Sequence, residues 1–350
     1  MKKLLPVLAL SSLFPITAAA EDYFDPPGPP RSEASRMRTL NEVEPRYPIE
    51  SIPVVITNPG AYFLPGSMDG SNDASGIVLD ASDVTIDLNG FSLTGTTNSI
   101  NGIEVTGQHQ NIEIRNGVLR DWGGFGLMAT SASDVVVIEV NAVHNGAGGL
   151  YTGPNSFLER CGVYANGFNA GAPEEPPRTD GIQCGAFSTV KDCKCRGNLG
   201  AGIHGYSHTR ITGCSSTMSA DADGIHLEDY CTVRDCVVAE NKSNGIKVGS
   251  MCMVMENTAG RNGRETGGAG ILVVGKNSLI EKNLTCDNAY GLRSEPTGAY
   301  GSLFLNNGAS NNTSNDYDFG AGNYYGPDPE MTPGQIDSTN PWQNFRFSNK

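Results

Sequence analysis

Positive charge is scarce in this chain: 24 lysines and arginines stand against 38 acidic residues, a formal net charge of −14. A nucleic-acid partner needs a basic face to displace phosphate counterions, so that class is excluded. Aromatic residues make up only 7% and charged residues 18%, which excludes both a coiled coil and a disordered polyelectrolyte. Long hydrophobic runs are missing too. The one candidate, Leu4 to Ile16, is interrupted by Pro6 and Pro15. It is shorter than the ~20 residues a helix needs to cross a bilayer, so no membrane span is expected. No stretch shows convincing helical periodicity, which leaves strands as the building unit.

The apolar run has a different reading. Lys2 and Lys3 precede it and Ala18-Ala19-Ala20 follows it, the layout of a secretory signal peptide over residues 1–20. The expected location is therefore secreted or periplasmic. Within the segment 21–75, residues 21–60 carry prolines at 26, 27, 29, 30, 45, 48, 53 and 59, which prevent a long helix there. This segment lacks the repeat described next and reads as a Pro-rich entry and N-terminal cap, because an open solenoid end exposes a core and an unpaired edge. Residues 312–350 concentrate Tyr317, Phe319, Tyr324, Tyr325, Trp342, Phe345 and Phe347 and read as an aromatic-rich C-terminal cap or tail.

Glycine, by contrast, is in excess, at 44 positions, without collagen's strict triplet. Ten of these precede Ile or Leu, from Gly76-Ile77 to Gly291-Leu292, at spacings of 26, 24, 23, 32, 21, 22, 21, 25 and 21 residues. Between them recurs an aliphatic, two residues, then Asn or Cys: Ile138-x-x-Asn141, Leu158-x-x-Cys161, Val190-x-x-Cys193, Ile211-x-x-Cys214, Val233-x-x-Cys236, Val254-x-x-Asn257, Ile280-x-x-Asn283 and Leu303-x-x-Asn306. Asparagines at 166, 198, 241, 262, 288 and 311 close most units. A period in the low twenties admits a leucine-rich horseshoe or a parallel β-helix, and the fixed leucines and helical segment of the former are missing. The pattern predicts an all-β, right-handed, single-stranded parallel β-helix of about ten or more turns over residues 76–311. Asparagines would stack turn on turn, and glycine is expected to supply the tight corner.

These repeats resemble the right-handed β-helix units of the pectin-lyase-like superfamily. The opening pieces Glu44-Pro45-Arg46, Val84-Thr85-Ile86-Asp87-Leu88-Asn89-Gly90 and Ile114-Arg115-Asn116-Gly117, together with Asn340-Pro341-Trp342, resemble exported bacterial members of unassigned function. The resemblance spans about residues 37 to 345 and implies a fold, whereas the superfamily's activities range from lyases and hydrolases to adhesins and scaffolds. Thr179-Asp180-Gly181 and Ile203-His204-Gly205 look like fragments of polygalacturonase signatures. That family places a paired-aspartate turn between them, has asparagine where Arg178 stands, and follows with Arg-Ile-Lys. The departures leave no hydrolase assignment.

Nine cysteines in an exported chain invite disulfides, but Cys161, Cys193, Cys214 and Cys236 share the column of Asn141 and Asn257. Cys231 and Cys252 share another. Side chains one strand spacing apart with parallel vectors fit a disulfide poorly, so a buried ladder of free thiols is expected. No structural zinc is predicted, since Cys193-x-Cys195 lacks a matching histidine pair.

Register then selects a face. If the residue after each glycine points inward, the next points outward. That column reads Val78, Glu104, Met128, Tyr151, Gln183, His204, His226, Lys247, Leu272 and Arg293. Two residues further lie Tyr206, Glu228 and Glu295, while Asp180 and Asp223 precede their glycines at the flanking corner. His204, His226, Glu228 and Lys247 are the candidate acid/base groups, with Asp180, Gln183, Tyr206, Asp223 and Arg293 as candidate substrate contacts. Lys247 and Arg293 could neutralise a uronate carboxylate. The two aspartates with Glu228 also offer oxygen ligands for Ca²⁺, the only cofactor the residues suggest. The segment Ala172-Pro173-Glu174-Glu175-Pro176-Pro177 is expected to wall the face over Gln183 and His204. Two readings stay open: a monomeric polysaccharide lyase, hydrolase or binder, and a non-catalytic exported scaffold or adhesin whose partner is a cell-surface component.

Overall fold

An isolated three-residue strand buries too little to be stable, so each repeat has to find its partners in the repeats before and after it. The computed structural model describes residues 46–168, 179–331 and 340–347. In it every strand pair is parallel, and the Gly-aliphatic strands form one twelve-stranded sheet. Its register stacks the ten predicted aliphatics in a single column, Ile77 on Ile103 through Ile203 on Ile225 to Ile271 on Leu292. The sheet runs past the predicted repeat at both ends, because Val54–Ile56 pairs with Ile77–Leu79 and Asn315–Asp318 pairs with Tyr290–Ser294. Each central turn adds two more short strands; the one beginning at Gly202 contributes Ile203–Gly205, Arg210–Thr212 and Ser215–Thr217. Inward Ile, Val and Leu side chains from all three sides make one continuous core.

The corners work differently from the expectation. None of the ten repeat glycines lies in the left-handed region. That conformation falls instead on the residue before most ladder positions: Lys282 (φ 55°) before Asn283, Asp287 (φ 57°) before Asn288, Arg261 (φ 58°) before Asn262. The repeat glycines are required by close approach. A Cβ on Gly224 would sit 2.5 Å from Asn241 Nδ2 and 2.8 Å from the Gly245 carbonyl oxygen, and one on Gly181 would sit 2.5 Å from Asn198 Nδ2. The glycine column thus lies directly against an asparagine ladder.

That ladder runs from Asn241 through Asn262 and Asn288 to Asn312, each Nδ2 donating to the next Oδ1 at 2.9 to 3.1 Å. A second runs Asn257, Asn283, Asn307, Asn344. Three predicted members are one residue off. Asn306 (φ 54°) and Asn311 (φ 56°) are the left-handed residues, and the ladder uses Asn307 and Asn312. Asn141 is exposed, and the inward position at that corner is held by Val140. Cysteine substitutes for asparagine in the same column: the Cys161 N–H donates to Cys193 Sγ and the Cys193 N–H to Cys214 Sγ, both at 3.4 Å. The Cys231 N–H likewise donates to Cys252 Sγ. All nine cysteines are free thiols, eight of them buried. Burial pushes Cys184 up to about 12 and holds Cys195 well above the ordinary thiol range.

In the aromatic tail, Tyr317 and Phe319 pack into the core, and the Tyr317 hydroxyl donates to the Asn307 and Phe345 carbonyls. Tyr324, Tyr325 and Trp342 stay exposed around a groove of about 420 Å³.

Candidate functional site

The outward column of the Gly-aliphatic sheet is continuous in register from Tyr151 through Gln183, His204 and His226 to Lys247. Strand spacing therefore places the two histidines face to face. Their rings stack at 4.9 Å with 14° between planes, and the Tyr206 ring also stacks with His204 at 5.2 Å and 17°.

Each histidine has an aspartate. His204 Nδ1 lies 3.1 Å from Asp180 Oδ2, one turn back. The other carboxylate oxygen of Asp180 accepts the Ala201 N–H at 2.7 Å, and the Asp180 N–H donates to the Tyr151 hydroxyl at 2.9 Å. His226 Nδ1 lies 3.8 Å from Asp223 Oδ2, whose Oδ1 accepts the Asn244 N–H and Nδ2 at 2.9 and 2.8 Å. Asn101 and Asn244 hold the same corner position on other turns, and each accepts a backbone N–H from the next turn. A neutral amide thus serves the fold there. Among the corners in hand, the carboxylate appears on the turns where an imidazole faces it.

With its Nδ1–H donated to Asp180, His204 keeps the Nε2 lone pair for a proton. Burial, then the Lys247 ammonium and the neighbouring His204, hold His226 below the ordinary 6.5, against the pull of Asp223 and Asp180. His226 is accordingly neutral at pH 7. Lys247 pairs with His226 in register and makes no ion pair among the described residues.

Two open grooves meet on this face. One of about 450 Å³ is lined by Asp180, Leu199, His204 and Asp221; the other, about 400 Å³, by Thr130, Pro154, Ser207 and Glu228. Gln183 and Tyr206 line both. Glu228 is exposed and accepts a hydrogen bond from Ser207 Oγ at 3.1 Å. Ser207 carried no signal in the repeat, since it lies just past its strand. A larger hollow, about 680 Å³, lies at another corner, where its charges are largely spent on the pairs Arg261–Glu240 and Lys242–Asp221.

Eight of the nine candidates therefore gather along the face. Arg293 does not: Leu272 separates it from Lys247, its guanidinium sits 4.5 Å over the Tyr290 ring, and Asp318 approaches at 3.5 Å. The Ca²⁺ reading loses its ligand set, because Asp180 and Asp223 are already committed to N–H groups and imidazoles. Among the described residues no group of three or more His, Cys, Asp or Glu side chains is arranged for a metal. The segment 172–177, with Arg178, lies outside the described residues.

The family model for a right handed beta helix region matches residues 69–216 and 178–288. The chain belongs to this β-helix family. Solved structures similar to this β-helix include two A-modules of Azotobacter vinelandii mannuronan C-5 epimerases. AlgE4 matches with a TM-score of 0.59 at 15% identity, over 79% of this chain and 84% of that one. AlgE6 matches with a TM-score of 0.50 at 14% identity, over 87% of each chain. At such identities the likeness is one of fold. No curated protein sequence matches the chain.

Proposed function

We propose that the chain is an exported, secreted or periplasmic β-helix protein that binds a polysaccharide across the two joined grooves and moves a proton on it through the Asp180–His204 pair. The observation that carries this reading is the 3.1 Å contact between Asp180 Oδ2 and His204 Nδ1. A half-buried carboxylate fixes the imidazole tautomer and stabilises the imidazolium once Nε2 has taken a proton. The stacked His226 stays neutral and Lys247 stands one strand beyond, so a positive charge flanks the reacting position without occupying it. Two shallow, open grooves that share Gln183 and Tyr206 suit a stretch of polymer better than an enclosed small molecule. The reaction class that fits is acid/base chemistry on a sugar, as in a lyase, an epimerase or a hydrolase, and the fold's likeness to mannuronan epimerase modules agrees with a polysaccharide ligand.

The test is His204→Ala and Asp180→Asn assayed on a panel of neutral, uronate and amino polysaccharides, with binding and turnover read separately. Proton transfer by a positioned side chain is worth about 100- to 10,000-fold, so turnover should fall by that factor in either variant while the melting temperature of His204→Ala holds. A wild-type protein that neither binds nor alters any polymer of the panel would end this reading.

A further inference from the structure

Gln183 is the residue on this face that the fold does not explain. It points outward from its strand, between Tyr151 and His204 in register, yet it is only 3% exposed. Buried polar groups are almost always paired, and the buried asparagines of this chain follow that rule, although Thr152, Thr209, Ser219, Arg293 and Arg346 each keep a buried unpaired atom. Each buried asparagine, from Asn101 to Asn344, donates its side-chain amide to a neighbour. The Gln183 amide has no hydrogen-bond partner among the described residues. Both grooves reach it, since Gln183 lines each of them where they join. An amide offers two N–H donors and a carbonyl acceptor, a set that matches adjacent hydroxyls on a sugar ring.

The surroundings state the charge of that ring. In the groove beyond Gln183 the one ionised side chain is Glu228, hydrogen-bonded to Ser207. No lysine or arginine lines that groove, and Lys247 lies on the far side of both histidines. A uronate carboxylate placed beside Gln183 would meet Glu228 with no cation to offset it. We infer that Gln183 is a specificity-determining residue that reads the hydroxyls of an uncharged sugar unit, seated across Gln183 from the Asp180–His204 pair. This rests on the polysaccharide reading above and adds the chemistry of one subsite to it. The Gln183 amide, which opens onto both grooves, is then free to exchange solvent for the hydroxyls of a bound ligand.

Two variants test it, Gln183→Leu and Glu228→Gln. Affinities are measured by calorimetry for a neutral β-glucan, a neutral mannan, chitosan, alginate and pectate, and each variant's melting temperature is recorded. Gln183→Leu should weaken the glycan that wild type binds by about 10-fold or more, since an anchoring hydrogen-bond group is lost. It should leave the melting temperature about unchanged, because no hydrogen bond of the Gln183 side chain to another described residue is lost. Glu228→Gln should raise the affinity for alginate and pectate. A Gln183→Leu protein that melts several degrees lower shows a structural role and overturns the inference. So does affinity within about twofold of wild type for a glycan whose turnover His204→Ala abolishes; the proton-transfer reading survives that result, and only the subsite falls. Gln183-dependent binding confined to the polyuronates likewise overturns it. If wild type binds no polymer, both readings fall together.

Discussion

Gly224→Ala separates two opposite expectations for the same substitution. Gly224 is not in the left-handed region, so alanine meets no backbone strain there. By the entropy of the unfolded chain alone, the change would stabilise the protein by about 0.4–1 kcal/mol. The structure predicts the reverse. The new Cβ would lie 2.3 Å from Val238 Cγ1, 2.5 Å from Asn241 Nδ2 and 2.8 Å from the Gly245 carbonyl oxygen. Overpacking of this kind costs about 1–3 kcal/mol. Asn241 cannot retreat freely, because Nδ2 donates both to the Ser216 carbonyl at 3.2 Å and to Asn262 Oδ1 at 2.9 Å. Losing either bond adds about 0.5–1.5 kcal/mol. A net loss of about 1–4 kcal/mol follows. The control is Gly197→Ala, where φ is +65° and a Cβ would meet nothing within 4 Å. Its cost is backbone strain alone, about 1–2 kcal/mol. Equilibrium denaturation in urea, followed by far-UV circular dichroism and near-UV fluorescence to check for coincident transitions, reads both. If Gly224→Ala is neutral or stabilising, or costs less than Gly197→Ala, then the packing of the glycine column against the asparagine ladder is not what holds the turns in register.

His226 should titrate below 6.5 in NMR, and Lys247→Gln should move it upward, because the ammonium beside it opposes protonation. Since the folded value lies below the unfolded one, the unfolded chain takes up this proton first, and stability falls as pH drops through and below 6.5. A wild-type value at or above 6.5, or one unmoved in Lys247→Gln, refutes the arrangement of groups around the ring. For the thiols, iodoacetamide followed by intact mass should label the half-buried Cys286 first and leave the eight buried cysteines untouched until the protein unfolds. Fast labelling of Cys184 or Cys195 in the native state would contradict the burial that raises them.

The columns were legible in the sequence because a strand has period two and the glycine spacings fix where each strand starts. Once Gly202, Gly224 and Gly245 are aligned, His204, His226 and Lys247 have to be neighbours, and they are. What failed was whatever depends on a contact outside the repeat or on a choice between like residues. Asn306 and Asn307 are the same residue type, and both left-handed corners and ladders favour asparagine, so spacing alone chose the wrong one of the pair. Arg293 lies in the outward column two strands beyond Lys247, and its contact with Asp318 was not legible because Asn315–Asp318 has no Gly-aliphatic pair to announce it. Tyr151 and Gln183 are outward by register yet buried, and register carries no information about what covers a position from outside.

The repeat glycines are the most consequential of these failures. Sequence shows that glycine is required, and two different physical needs, a positive φ or the absence of a Cβ, leave the same trace. That the need is close packing bears on the site itself. A glycine chosen for φ would mark a corner able to flex, whereas a glycine pressed against an asparagine ladder locks one turn to the next. Asp180 and Asp223 sit immediately before two of those locked glycines, Gly181 and Gly224. The Asp180–His204 contact spans two turns, so its length is set by strand spacing and by that lock rather than by a loop. The Asp180–His204 contact is held by the same packing that stacks the turns, which places its geometry at risk from core substitutions such as Gly181→Ala as much as from changes to the two residues.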